Sequence, residues 1–337
     1  MKIINAKDAL GITKGNNYKA WNKSSSSSLL SEHPNDASRR IHDGFAEVIP
    51  KYSGLKLTTD APVFAMGSCF AREIESALIR KGGNVVSLDE SIQRPEFYDG
   101  EGNVRSGFFH RFTPRSIWQE FMWCFDELDN WQHDSLIWGS GESERNDLNY
   151  WKVPGCDRSL EAIMTRRAVA RNLVRNAVKA DVIILTLGLI EAWYHKPSNL
   201  YANYGDPTLL ARYSSEFELH LLDIQDTLIC LEEIYRLLHK RHQTGKFRLV
   251  ITVSPVPLQS TFTGLDIIIA NTASKAVLRA AAAEFVEKYD DVDYFPSFEI
   301  VNNSAHSLAW RPDRLHVNPE MVRHIVDTFY QTYFQTL

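Results

Sequence analysis

A doubly wound α/β fold, with a parallel sheet of about five strands, is what this 337-residue chain predicts. Two observations carry the prediction. Short continuous apolar runs recur along the chain, of the β-branched kind that parallel sheets bury on both faces. Stretches with helical spacing of apolar residues lie between them.

Taken in order, Val63-Phe64-Ala65-Met66 is the first strand. It stops at Gly67, and Phe70 to Lys81 follows with helical spacing before Gly82-Gly83. Val85 to Leu88 reads as the second strand, Val182 to Leu187 as the third, Phe247 to Val253 as the fourth and Val292 to Phe295 as a weaker fifth. Helices are expected over Leu160 to Lys179, Phe217 to Arg241 and Ala273 to Tyr289, and over Pro319 to Phe334 with Asn318 as N-cap. Residues 1–60 read as an N-terminal arm or linker around the serine run Ser24 to Ser28, and 61–337 as the folded domain. Within it, the stretch at about 89–155 is too long for a plain connection. It holds Trp118, Trp123, Trp131, Trp138 and Trp151, and reads as an insertion that packs on the sheet and roofs the site. Its tryptophans either fill an extra hydrophobic layer or form a sugar-stacking platform.

Composition narrows the function. There are 37 basic and 42 acidic side chains, a net charge of −5, which argues against a nucleic-acid partner. No apolar run reaches the roughly 18 residues of a membrane helix, and the N-terminus lacks the apolar stretch of a secretion signal. Four scattered cysteines, Cys69, Cys124, Cys156 and Cys230, give neither a disulfide framework nor a zinc site, and a cytoplasmic location is the expectation. Phosphate-loop, dinucleotide and H-E-x-x-H motifs are missing, so no cofactor or metal is expected.

In such a sheet ligands bind beyond the carboxyl ends of the strands. There lies Gly67-Ser68-Cys69-Phe70-Ala71, a strand–turn–helix junction. A nucleophile in this turn stands clear of the sheet, with backbone N–H groups free for an oxyanion. A helix N-terminus would also lower the pKa of a cysteine. The plainer alternative is that Ser68 caps the helix and Cys69 is a small buried residue. Just before the last helix comes Asp313-Arg314-Leu315-His316. There a carboxylate can hold one ring nitrogen of the histidine while the other takes a proton from a nucleophile.

Together these two elements resemble the SGNH/GDSL hydrolase superfamily, and GSCFA is the signature of the GSCFA-domain family grouped with it. Further stretches resembling that family are Leu185 to Tyr194, Thr252 to Pro257, Asn271 with Ser274-Lys275, and Tyr294 to Ile300. The resemblance spans Pro62 to the C-terminus and implies a flavodoxin-like, SGNH-type sheet. It also implies Cys69 as nucleophile, because the superfamily serine lies two residues after the glycine; Ser68 is the fallback. His316 would be the base and Asp313 its orienting partner. The superfamily's third block carries an asparagine for the oxyanion hole, whereas Gly188-Leu189-Ile190-Glu191 has isoleucine there. The Cys69 N–H, Asn271, His110 or Thr113 would then donate instead. Glu191 would bind a substrate hydroxyl, or bond Arg72 or Lys275. Asn271 and Lys275 would share a helix face, or be a cap and a solvated lysine.

The expected function is an acyl-ester hydrolase or O-acyltransferase on an acylated carbohydrate or other small metabolite. An acyl-coenzyme A-dependent transferase and a non-catalytic glycan- or protein-binding module are the alternatives. Neither a nucleic acid nor a membrane is an expected partner, and oligomeric state is not legible.

Overall fold

The computed structural model describes residues 3–23, 30–52, 54, 56–88, 109–128, 132, 134–139, 145–150 and 157–335. Its elements in chain order begin with α1 (Ala6–Gly15), α2 (Ala37–Arg40), β1 (Val63–Gly67), α3 (Cys69–Arg80) and α4 (Pro114–Cys124). Then come β2 (Ile137–Trp138), β3 (Asn146–Asp147), α5 (Leu160–Arg175), β4 (Val182–Leu187), β5 (Glu191–His195), β6 (Leu200–Ala202), α6 (Pro207–Arg212) and β7 (Phe217–Leu221). The rest are α7 (Ile224–Arg241), β8 (Arg248–Val253), α8 (Ile267–Val286), β9 (Val292–Tyr294), α9 (Ser297–Asn302), α10 (His306–Ala309) and α11 (Pro319–Tyr333).

The central sheet runs β1-β4-β8-β9, every pair parallel. Because side chains alternate across a strand, each strand feeds two cores. Phe64, Met66, Ile183, Leu185, Leu249 and Ile251 pack on one face with residues of α4, α5, α7 and α8. Val63, Ala65, Val182, Ile184 and Val250 pack on the other with residues of α3, α9 and α11. This is a mixed α/β architecture with helices on both faces of a parallel sheet.

It has four strands where five were expected, and the lost one is Val85 to Leu88. Val85 makes a single parallel bridge to Val63 on the outer edge of β1. Two residues on, the Ser87 hydroxyl accepts the Ala65 N–H at 3.1 Å and donates to the buried Glu75 carboxylate. A side chain thus occupies the ladder position that a strand backbone would take. Farther along the same edge, His110 bridges Gly67.

A second departure lies at Phe217 to Arg241. Its first five residues, of which only Phe217 is fully buried, form β7 in an antiparallel sheet ordered β6-β5-β7, beyond the carboxyl end of β4. The helix starts at Ile224, where Asp223 caps the Asp226 N–H at 2.8 Å. Similarly, α8 begins six residues before the expected Ala273, because Asp266 caps the Ile268 N–H at 2.8 Å. Asn318 stands at the N-cap of α11, yet its amide donates to the carbonyls of Leu308 and Trp310 at 3.0 Å instead.

Of the insertion's tryptophans, Trp123 is buried against Tyr150, Trp118 donates to Glu233 on α7, and Trp138 packs on Tyr213 and Phe217. These three fill hydrophobic layers; Trp131 and Trp151 lie outside the described residues. In the N-terminal segment α1 buries no residue, while Phe45, Val48, Tyr52 and Leu57 pack against the α11 side of the core. Among the described residues, no helix is long and apolar enough to cross a membrane.

Candidate active site

The carboxyl end of β1 is wedged against β4. Gly67 has φ +145°, and a Cβ there would collide with the Thr186 carbonyl and hydroxyl, so only glycine fits. The next N–H, of Ser68, donates to Thr186 Oγ1 at 3.1 Å. Ser68 occupies the N-cap of α3 without a side-chain cap bond, and its Oγ is buried without a partner. Helix capping is therefore not what this hydroxyl does.

Cys69 opens α3 and lines a cleft of about 390 Å³, which Ser68, His110, Gly188, Leu315 and His316 also line. Burial pushes its thiol up from the ordinary value. The Lys275 ammonium and the Phe70 and Cys69 amides pull the other way, and Glu73 adds to the rise. The expected lowering by the helix N-terminus is thus outweighed by desolvation.

His316 reaches the cleft from a tight hairpin. Trp310 bridges Val317, Arg311 N–H donates to the His316 carbonyl at 2.9 Å, and Arg314 turns the chain at φ +56°. Asp313 Oδ2 meets His316 Nδ1 at 2.7 Å, while Oδ1 accepts the Leu315 and His316 N–H groups at 3.0 Å. The His316 amide, then its ring, then the Leu315 amide hold the Asp313 carboxyl well below the usual range. With Nδ1 engaged, Nε2 is the nitrogen left for chemistry. Both dyad side chains are about half exposed, at 49% and 48%, so the dyad is open to solvent. Among the described residues, no hydrogen bond joins His316 to Cys69 or Ser68, although all three line one cleft.

The other expected site residues divide. Gly188 lines the cleft, and a Cβ there would meet the Phe112 carbonyl oxygen at 2.6 Å. His110 lines it too: its Nε2 is buried without a partner, and burial, then Arg72 and Arg111, push its pKa down to about 3. Thr113 is spent elsewhere, for its hydroxyl caps the Ser116 N–H of α4 at 3.1 Å. Asn271 is inside α8, not at its cap, and its Oδ1 accepts the Leu258 N–H at 3.1 Å, behind the cleft wall. Glu191 lines the cleft but bonds neither Arg72 nor Lys275. Its carboxylate accepts from Thr261 Oγ1 at 2.5 Å and Phe262 N–H at 2.9 Å, tying down the rim loop.

Lys275 is not solvated: it is 2% exposed, and its Nζ donates to the Gly188 and Val256 carbonyls, both at 2.8 Å. Desolvation pushes its pKa down to about 7. Sequence reasoning also missed the aromatic wall of Trp193, Tyr204 and Phe262, which come from the β5–β7 region and the loop after β8. Trp193 lies within the Leu185 to Tyr194 stretch, but nothing in local pattern tells a cleft aromatic from a core one. Among the described residues no group of His, Cys, Asp and Glu could hold a metal ion.

A family model described as the GSCFA family matches residues 62–329, a span that holds β1, the Cys69 turn and the Asp313–His316 hairpin. No match emerges among curated proteins.

Proposed function

The chain belongs to the GSCFA family, and from its cleft we propose an SGNH-type acyl-ester hydrolase or O-acyltransferase acting on an acylated carbohydrate or other small metabolite. One observation carries this reading. A histidine whose Nδ1 is held by a carboxylate at 2.7 Å lines the same cleft as a thiol at a helix N-terminus, from the opposite end of the chain.

Cys69 is the nucleophile in this mechanism. Ser68 is adjacent, but its Oγ is fully covered, whereas Cys69 is partly open to the cleft. The thiol is protonated at rest, so His316 Nε2 removes its proton as sulfur bonds the acyl carbon. Asp313 fixes the tautomer and balances the imidazolium. Collapse of the tetrahedral species breaks the C–O bond, and the imidazolium returns the proton to the leaving alkoxide. Water or an acceptor hydroxyl, deprotonated by His316, then attacks the thioester and frees the thiol. The first amides of α3 and the neutral His110 ring are the groups left to stabilise the oxyanion, since Thr113 and Asn271 are otherwise engaged. Apo sites often hold such groups apart until substrate closes them.

The missing His316–Cys69 hydrogen bond favours one other reading, a non-catalytic glycan- or protein-binding module. An acyl-ester panel with intact-mass detection separates the two. We expect turnover and an acyl adduct on the wild type and on Ser68→Ala, and neither on Cys69→Ala. Full activity in both variants would sink the covalent route, and absence of turnover on every ester alongside ligand-induced stabilisation would favour the binding module.

A further inference from the structure

Lys275 is a buried cation that the mechanism above does not use. A lysine this deep normally has a carboxylate partner, because a desolvated unpaired ammonium is costly. Here its hydrogen bonds go to two main-chain carbonyls, those of Gly188 after β4 and Val256 after β8. Both residues line the cleft with Cys69, and a Cβ on Gly188 would stand 3.3 Å from that of Ser68. Among the described residues, the titratable group acting on Lys275 is Cys69, and the Lys275 charge is the largest influence opposing burial of the thiol. Both carbonyls could be satisfied by a neutral donor. A lysine there adds one thing, a positive charge behind the cleft wall that Gly188 and Val256 share with Cys69.

We propose that Lys275 is a positioning residue of the nucleophile: strapped between the turns after β4 and β8, its ammonium stabilises the Cys69 thiolate inside a cleft that would otherwise suppress it. The proposal rests on Cys69 as the reacting thiol, and deepens that reading by naming the counter-charge. The groups facing the sulfur are Glu73 on its own helix, Lys275 on α8, and His110 and His316 across the cleft. Glu73 opposes the thiolate; His110, held neutral by its burial, contributes no charge near neutrality. Thiol and amine titrate as a pair. Below about 7 the ammonium is charged and favours the thiolate, and rising pH removes that help just as it deprotonates sulfur. The wild-type titration should therefore be shallow.

The test is the rate of Cys69 carbamidomethylation by iodoacetamide between pH 5 and 10, located by peptide mass on the full chain. It needs no turnover, so it fails or succeeds independently of the ester panel. Lys275→Gln keeps N–H donors for the carbonyls and deletes the charge. We expect alkylation of the variant to slow about tenfold below pH 7, where the wild-type lysine is charged, and the two rates to converge as pH rises. Lys275→Arg keeps a charge that does not titrate, and should give a steeper curve with a midpoint no higher than wild type. An unchanged rate below pH 7 in Lys275→Gln would reduce Lys275 to a brace. Should that variant not fold, judged by alkylation of the buried Cys124 and Cys230, a Lys275→Arg curve as shallow as wild type would overturn the proposal.

Discussion

The two halves of the candidate site are built in opposite ways. The Asp313–His316 hairpin is wired almost entirely to itself: the carboxylate bonds a ring and two amides within three residues, and the hairpin closes through Arg311. The Cys69 turn takes its shape from partners far along the chain, Thr186 under Gly67 and Ser68, and Lys275 behind Gly188. The hairpin is half exposed; the turn is buried. A local device can be exposed and still keep its geometry, because its entropy cost is met within a few residues. A nucleophile turn fixed by long-range contacts needs the packed sheet to hold it.

The largest effect should come from breaking the hairpin's chemistry. On the proposed mechanism, His316→Ala lowers kcat about 10⁴-fold and Asp313→Asn about as much. Both should leave the melting temperature nearly unchanged, since an exposed dyad contributes little to stability. Loss of fold in either variant would erase the distinction between the two regions. Gly67→Ala tests the other half: the Cβ collision with Thr186 and the φ of +145° should cost about 3 kcal/mol or more in chemical denaturation. A well-folded Gly67→Ala protein would mean that the turn can relax.

pH sharpens the comparison. Asp313, held below its ordinary range but exposed, adds only a small, solvent-screened stability at neutral pH, lost as pH falls from the ordinary carboxylate range through that depressed value. His110 is depressed to about 3 by burial, so the unfolded chain binds the extra proton between about 6.5 and 3, and stability falls as pH drops through that window. Ring-carbon NMR should show no His110 titration from pH 8 down to about pH 5; a midpoint near the ordinary imidazole value would remove it as a neutral donor. The smallest effect is Glu191→Gln, which weakens the bonds to Thr261 and Phe262 by about 1–2 kcal/mol. It should raise KM a few-fold through a looser rim, with kcat little changed.

Whatever depends on short stretches of chain was legible in the residues alone. The buried runs at Val63 to Met66, Val182 to Leu187 and Phe247 to Val253 announced strands, because a parallel strand covered on both faces must be apolar throughout. D-x-x-H announced a dyad because two intervening residues suffice to turn the carboxylate onto the ring. What long-range packing settles was not legible. Ser87 displaces a fifth strand by one hydroxyl bond to Ala65. Phe217 to Leu221 leaves the helix because β5 lies beside it. Lys275 is buried rather than solvated because two turns, eighty-seven and nineteen residues away in sequence, present their carbonyls to it. The thiol's proton affinity follows the same rule: a helix N-terminus can be read from local sequence, but the desolvation that outweighs it exists only once the cleft has closed around the sulfur.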